Sequence, residues 1–153
     1  MSLYLAHLRQ QALTAATAKT LIQLVTPATC RARVVEVGVS FRGVTATDPP
    51  VTIDLLRQTT AGTMTAFTPV LWDPAATAAD CTAQNNATVE PTAGDILSSW
   101  EVTPVGGLFV VQYPLDDEPV VGASGRVGLR ATPGSAIAAD ATVSAYVRWR
   151  EIG

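Results

Sequence analysis

The reactive side chains in this sequence are few, and their spacing assigns them little chemistry. His7 is the single histidine. Any histidine-based general base or catalytic triad would have to run through it. It lies near the N-terminus, far along the chain from a suitable nucleophile, and reads as a surface bystander. Cys30 and Cys81 are the two cysteines. They have no CxxC spacing and cannot complete a zinc quartet with one histidine. Two small buried thiols is the preferred reading, with a single bridge as the alternative. Asp54 and Glu101 fall in strand-like runs and are the best pair for a glycosidase-type mechanism. On antiparallel strands such outward carboxylates more often face an outward arginine, here Arg42, Arg130 or Arg148. Asp116, Asp117 and Glu118 could bind calcium weakly through oxygen, but their spacing does not match an EF-hand loop. They read as a solvated turn. Trp72, Trp100 and Trp149, with Tyr4, Tyr113 and Tyr146, could build a sugar-stacking surface. Trp149 shares the inward parity of its strand and is assigned to the core, while Trp100 and Tyr146 are the candidates for exposure.

The elements that would position these residues follow from periodicity. In "ARVVEVGVSFRGV", Val35, Val37, Val39 and Phe41 fall on one face and Glu36, Gly38, Ser40 and Arg42 on the other. That alternation describes a half-buried strand. The same pattern recurs in "AKTLIQLVTP", in Val51, Ile53 and Leu55, in "GRVGLRAT" and in "ATVSAYVRWRE". "TDPP", "PVGG" and "PGSAIAAD" read as turns or loops. Pro69 within "AFTPVLW" marks an edge strand or a bulge. "LLRQTTAGT" reads as a strand end followed by a turn, with Gly62 free to take a positive φ. The polar stretch Asp73 to Asp95 is too long for a plain hairpin loop and reads as a crossover between sheets, carrying a strand near residues 87–90.

The count is about eight strands with turns every 8–12 residues, which predicts an all-β fold. The expectation is an antiparallel β-sandwich, jelly-roll-like rather than immunoglobulin-like. Residues 1–17 are expected to form an N-terminal arm, extended or with a short helical turn, and residues 18–153 a single sandwich domain.

Composition narrows the class of function. The chain has 153 residues, a length that suits one domain. Charged residues are only 15%, well below the usual quarter or so. A surface this neutral suits a subunit that hides much of itself in an assembly, or a stable, sticky monomer. Net charge is -3, so a basic nucleic-acid footprint is absent. No apolar run approaches the roughly 20 residues of a membrane span, and no secretory leader is read at the start.

Several phrases in order carry a resemblance. They are "AKTLIQLVTPATCRARVVEVGVSFRGVTAT", "PVTIDLLRQTTAGT", "FTPV", "VEPTAGDIL", "WEVTPVGGLFVVQYPLDDEPVVGASGRVGLRAT" and "VSAYVRWRE". From about Ala18 to Glu151 the chain resembles the small β-structured virion proteins of tailed bacteriophages and prophages, head-decoration or related structural proteins. The resemblance implies a jelly-roll-like, oligomeric, non-enzymatic protein with no catalytic residues, cofactor or metal to transfer. It implies a capsid cement on the phage head, a homo-oligomer with a trimer favoured, made in the bacterial host cytoplasm. Its partners would be other copies of itself and the major capsid protein, with no nucleic acid and no membrane. Residues 1–17 have no counterpart in it. Leu3, Tyr4, Leu5 and Leu8 are therefore expected to touch the shell or a neighbouring subunit, and Arg57 to make a contact across a subunit boundary. On this expectation, removing residues 2–13 leaves the sandwich folded. The alternative is a capsid-fibre, tail or spike module that binds host-surface glycan through Trp100 or Tyr146.

Overall fold

The computed structural model describes residues 2–153 as two antiparallel sheets packed face to face, a β-sandwich. The first sheet holds β1 (Leu3–Ala12), β3 (Arg31–Arg42), β6 (Val70–Leu71), β9 (Phe109–Gln112), β10 (Val120–Val121) and β12 (Thr142–Ile152). Its order is β10-β3-β12-β1-β6, with β9 also pairing with β3. The second sheet holds β2 (Lys19–Val25), β4 (Val51–Gln58), β5 (Thr63–Phe67), β7 (Thr82–Val89), β8 (Ala93–Val102) and β11 (Arg126–Thr132), in the order β5-β7-β2-β11-β4-β8. One 3₁₀ turn, Pro104–Gly106, is the only helical element among the described residues, and no helix is long and apolar enough to cross a membrane.

The strand pattern explains the core. Along β12, Val143, Ala145, Val147 and Trp149 point inward and are buried, while Ser144, Tyr146, Arg148 and Arg150 point outward. Trp149 is 0% exposed and stacks on Tyr4, with ring centroids 5.9 Å apart. Facing it, Ile53, Leu55, Leu129 and Ala131 line the second sheet. The proline at position 69 marks neither a bulge nor a break within one strand. It sits where the chain leaves β5 in the second sheet and enters β6 in the first. A residue without an N–H suits that gap between two ladders.

Two expectations need correction. Residues 3–12 are a strand of the sandwich. β1 pairs with β12 from Leu3↔Arg150 to Ala12↔Thr142 and with β6 at Tyr4↔Leu71. Tyr4, Ala6 and Leu8 enter the core on one face. Leu3, Leu5 and His7 fall on the opposite parity, so the apolar residues occupy both faces and the period of two is masked. The second correction concerns Val35. The β3–β12 register slips between Arg148↔Glu36 and Trp149↔Val34, leaving Val35 as the extra residue of a bulge. Before the bulge Ala32 and Val34 face inward, and after it Val37 and Val39 do. Val35 itself is only half-buried.

Deleting residues 2–13 therefore removes a paired strand and four core side chains, Tyr4, Ala6, Leu8 and Leu13. The truncated protein should lose its cooperative thermal transition and its near-ultraviolet circular dichroism, since the lost burial is comparable with the whole margin of a typical domain, about 5–15 kcal/mol. A sharp transition in the truncated protein would show that β1 is dispensable.

Candidate functional site

On the outer face of the first sheet, the pleat places Glu36 of β3 opposite Arg148 of β12, and Gly38 opposite Tyr146. Arg148 Nη1 lies 3.2 Å from Glu36 Oε1. The Tyr146 hydroxyl donates to that oxygen at 2.6 Å. Gly38 is the reason Tyr146 can lie flat here. A Cβ on residue 38 would come within 2.2 Å of the tyrosine ring. The Arg148 guanidinium also lies 4.0 Å above the ring centre of Trp72.

A second cluster lies along the same face. Arg33 pairs with Asp116 at 2.9 Å and with Glu118 at 3.1 Å, and Arg150 pairs with Glu118. Glu118 is buried, so the acidic turn is only partly solvated, contrary to its sequence reading. Two arginines neutralise the buried carboxylate and tie the loop before β10 to β3 and β12.

The second sheet ties up its own polar groups. Asp54 accepts from Arg130 at 2.9 Å and from the Ser99 hydroxyl at 2.6 Å. Glu101 accepts from the Thr52 hydroxyl at 2.7 Å. Asp54 is thus the cross-strand partner of an arginine that the parity of β4 and β11 anticipates, while Glu101 borders an open hollow of about 210 Å³ with Leu108 and Phe109 that Asp54 does not line. Gln23 donates to Gln58, Gln58 to the Thr20 hydroxyl, and that hydroxyl to Glu90. These bonds chain the buried Gln23, Gln58 and Thr20 to Glu90, and leave the buried Gln23 Oε1 without a donor.

The other sequence candidates separate. His7 packs edge-on against Phe67, 4.8 Å between centroids. Trp100 is half-buried against Phe109, at 5.6 Å. Tyr4 and Leu8 lie in the core, which removes them as partner contacts, while Leu3 and Leu5 are half-buried on the outer side of β1. Arg57 is exposed on β4, in the other sheet, and its guanidinium donates to the Val120 carbonyl at 3.3 Å. The fold does not bring Arg57 and the β1 residues together. Gly62 takes φ +62° in the turn after β4, as its sequence context requires. Cys30 and Cys81 are both buried free thiols, with Sγ atoms 3.9 Å apart.

What sequence reading missed is an apolar flank. β8 ends the second sheet, and β9 and β10 end the first on the same side of the sandwich. Trp100 against Phe109, the Tyr113 hydroxyl donating to Ser98 at 3.3 Å, and Arg57 donating to Val120 tie these edges together. Ile96, Val105, Leu108, Val110, Leu115 and Val120 are exposed on or beside these elements, Leu108 by 63%. They are six of the nine large apolar side chains exposed among the described residues. Their sequence signal is present in "ILSSWEVTPVGGLFVV", where apolar residues occupy both strand parities. A strand with one solvated face does not do this.

The Tyr146 hydroxyl is pushed up to about 12, first by burial, then by its bond to Glu36 and the charge of that carboxylate, against the opposing pull of Arg148. A tyrosine with a raised folded pKa stabilises the fold fully below its unfolded value, about 10, and loses that contribution as pH rises from there through about 12. Ultraviolet titration of the folded protein should show a tyrosine ionising near the upper end of that window, and Tyr146→Phe should remove it. Ionisation of every tyrosine at the free value would contradict the Glu36 contact.

No protein-family model matches the chain, no curated protein matches it, and no solved structure matches it.

Proposed function

We propose that the protein is a non-enzymatic structural subunit of a tailed-bacteriophage virion, an oligomeric decoration protein that bridges capsid subunits on the head surface. The observation that carries the reading is the contrast between its polar and apolar surfaces. Four arginines, Arg33, Arg130, Arg148 and Arg150, pair with the carboxylates of Asp116, Glu118, Asp54 and Glu36, while six large apolar side chains are exposed along the β8–β9–β10 flank. An exposed apolar flank of this kind suits association with another protein surface. The ordered phrases in which the chain resembles phage virion proteins, the low charge and the β-sandwich support the same reading. The jelly-roll assignment of the sandwich and a trimeric state belong to the proposal.

The partners are copies of the same chain and the major capsid protein. A standard interface of about 1,600 Å² gives micromolar to nanomolar association, depending on the quality of the contacts. Repetition over a shell multiplies weak individual contacts through avidity. Leu3 and Leu5, half-buried on the outer side of β1, and exposed Arg57 stay available as secondary contacts.

Sedimentation of the purified protein, alone and with empty heads built from its capsid protein, tests this. The expected result is a discrete oligomer that co-sediments with heads. Leu108→Asp with Val110→Asp should weaken self-association or head binding at least about tenfold, roughly 1.4 kcal/mol, with the thermal midpoint unchanged. A monomer that ignores heads at micromolar concentration would overturn the proposal.

A further inference from the structure

Cys30 and Cys81 come from opposite halves of the sandwich. Cys30 immediately precedes β3 of the first sheet, and Cys81 immediately precedes β7 of the second. They stand 51 positions apart in the chain, yet their Sγ atoms are 3.9 Å apart in the interior. Both sit where a loop enters a strand, so small adjustments can bring the sulfurs to bonding distance, about 2.05 Å, without breaking a ladder. The backbone ladders run within each sheet, and the sheets meet through side-chain packing and a few hydrogen bonds such as Arg57 to Val120. A disulfide here would add a covalent side-chain link between the two sheets.

We propose that Cys30 and Cys81 are an oxidisable pair whose disulfide staples the two sheets together, formed by exchange with a low-molecular-weight disulfide. Cys30 is the entry point. Both thiols border open hollows, Cys30 one of about 360 Å³ with Thr29, Arg31, Ala123 and Ile152 and Cys81 one of about 400 Å³ with Phe67 and Ala79, so what favours Cys30 is that burial and Glu151 hold back the Cys81 thiol. The Cys30 thiolate attacks one sulfur of the small disulfide and expels one thiolate, which takes a proton from water. Cys81 then attacks the Cys30 sulfur of the mixed disulfide, loses its proton to solvent, and expels the second small thiol. Two S–H bonds are exchanged for one S–S bond. The two electrons and two protons lost by the pair reduce one small disulfide to two thiols. Cys81 is suited to the second, intramolecular step. Burial, then the hydrogen bond to and charge of Glu151, then Cys30 itself, push its thiol up and keep it from acting first.

A metal centre is the competing use of the same atoms. Cys30, Cys81 and Glu151 offer ligand atoms within 4.8 Å of one another. A closed thiolate site takes four ligands, and this group supplies three. The Glu151 carboxylate is also already engaged. It accepts from the Asp80 N–H at 3.0 Å, the Cys81 N–H at 2.9 Å and the Trp149 indole at 3.4 Å. Its role is to anchor the chain entering β7 beside the thiol pair.

The test uses the full chain, reduced in chelator and then incubated with oxidised glutathione. The expected product has lost two hydrogens in intact mass, has no thiol reactive under denaturing conditions, and melts about 10 °C higher, reversibly with reductant. Cys81→Ser should stop at a glutathione adduct on Cys30, and Cys30→Ser should acquire little adduct. If both thiols persist after oxidation, or wild type stops at the mixed adduct, the proposal fails. It fails also if zinc ions raise the midpoint of the reduced protein and either serine variant abolishes that rise, which would mark a metal centre. The oxidised and reduced wild-type comparison requires no variant to fold, and none of these outcomes depends on capsid attachment.

Discussion

Strand β12 constrains the rest of the molecule. It is paired along its length on both sides, with β1 and with β3, and its two faces do different work. One face sends Trp149 into the centre of the sandwich, where Tyr4 of β1 stacks on it. The other carries Tyr146, Arg148 and Arg150 into the polar contacts with Glu36 and Glu118. A period of two forces these roles to coexist in one segment. Moving the register by one residue would bury the arginines and expose the tryptophan, at a cost far above the margin of a small domain. The register of β3 and β1, and through them the position of the Glu36 and Glu118 contacts, follows from that requirement.

The sandwich was legible because most strands have one clear inward face. Val143, Val147 and Trp149 alternate with polar residues, and Val51, Ile53 and Leu55 do so in the opposing sheet. Where both parities carry apolar residues the signal fails. Leu3, Tyr4, Leu5 and Leu8 read as an unattached arm, though their backbone is a full strand of the first sheet. Bulges cause a different failure. Val35 continues a perfect alternation in the sequence, but one extra residue there reverses the faces of everything before it. Hydrogen-bond registry between distant segments decides where a bulge falls, and local spacing does not encode it. About eight strands were expected and twelve form among the described residues, because short pieces such as β6 and β10 are defined by their partners rather than by a period of their own.

The site was less legible than the fold. The arginine partner of Asp54 and the core position of Trp149 could be read from parity. The thiol pair could not, since Cys30 and Cys81 meet only when the two sheets close on each other. The flank was hidden for a related reason. Ile96, Val110 and Val120 look like ordinary strand residues until the topology puts β8, β9 and β10 at sheet ends with nothing beyond them. The same residues in a central strand would be core. Position in the sheet order makes them candidates for a subunit contact.

Association through that flank is the central claim, and backbone hydrogen exchange tests it most directly. β8 and β5 are the two edges of the second sheet, so in an isolated subunit each presents N–H groups without a ladder partner. The account predicts that the outward amides of β8, with those around Leu108 and Val110, become strongly protected in the oligomer or on the head, while β5 continues to exchange as in the free subunit. Protection of β5 with β8 still exchanging freely would place the contact on the opposite edge and contradict the account.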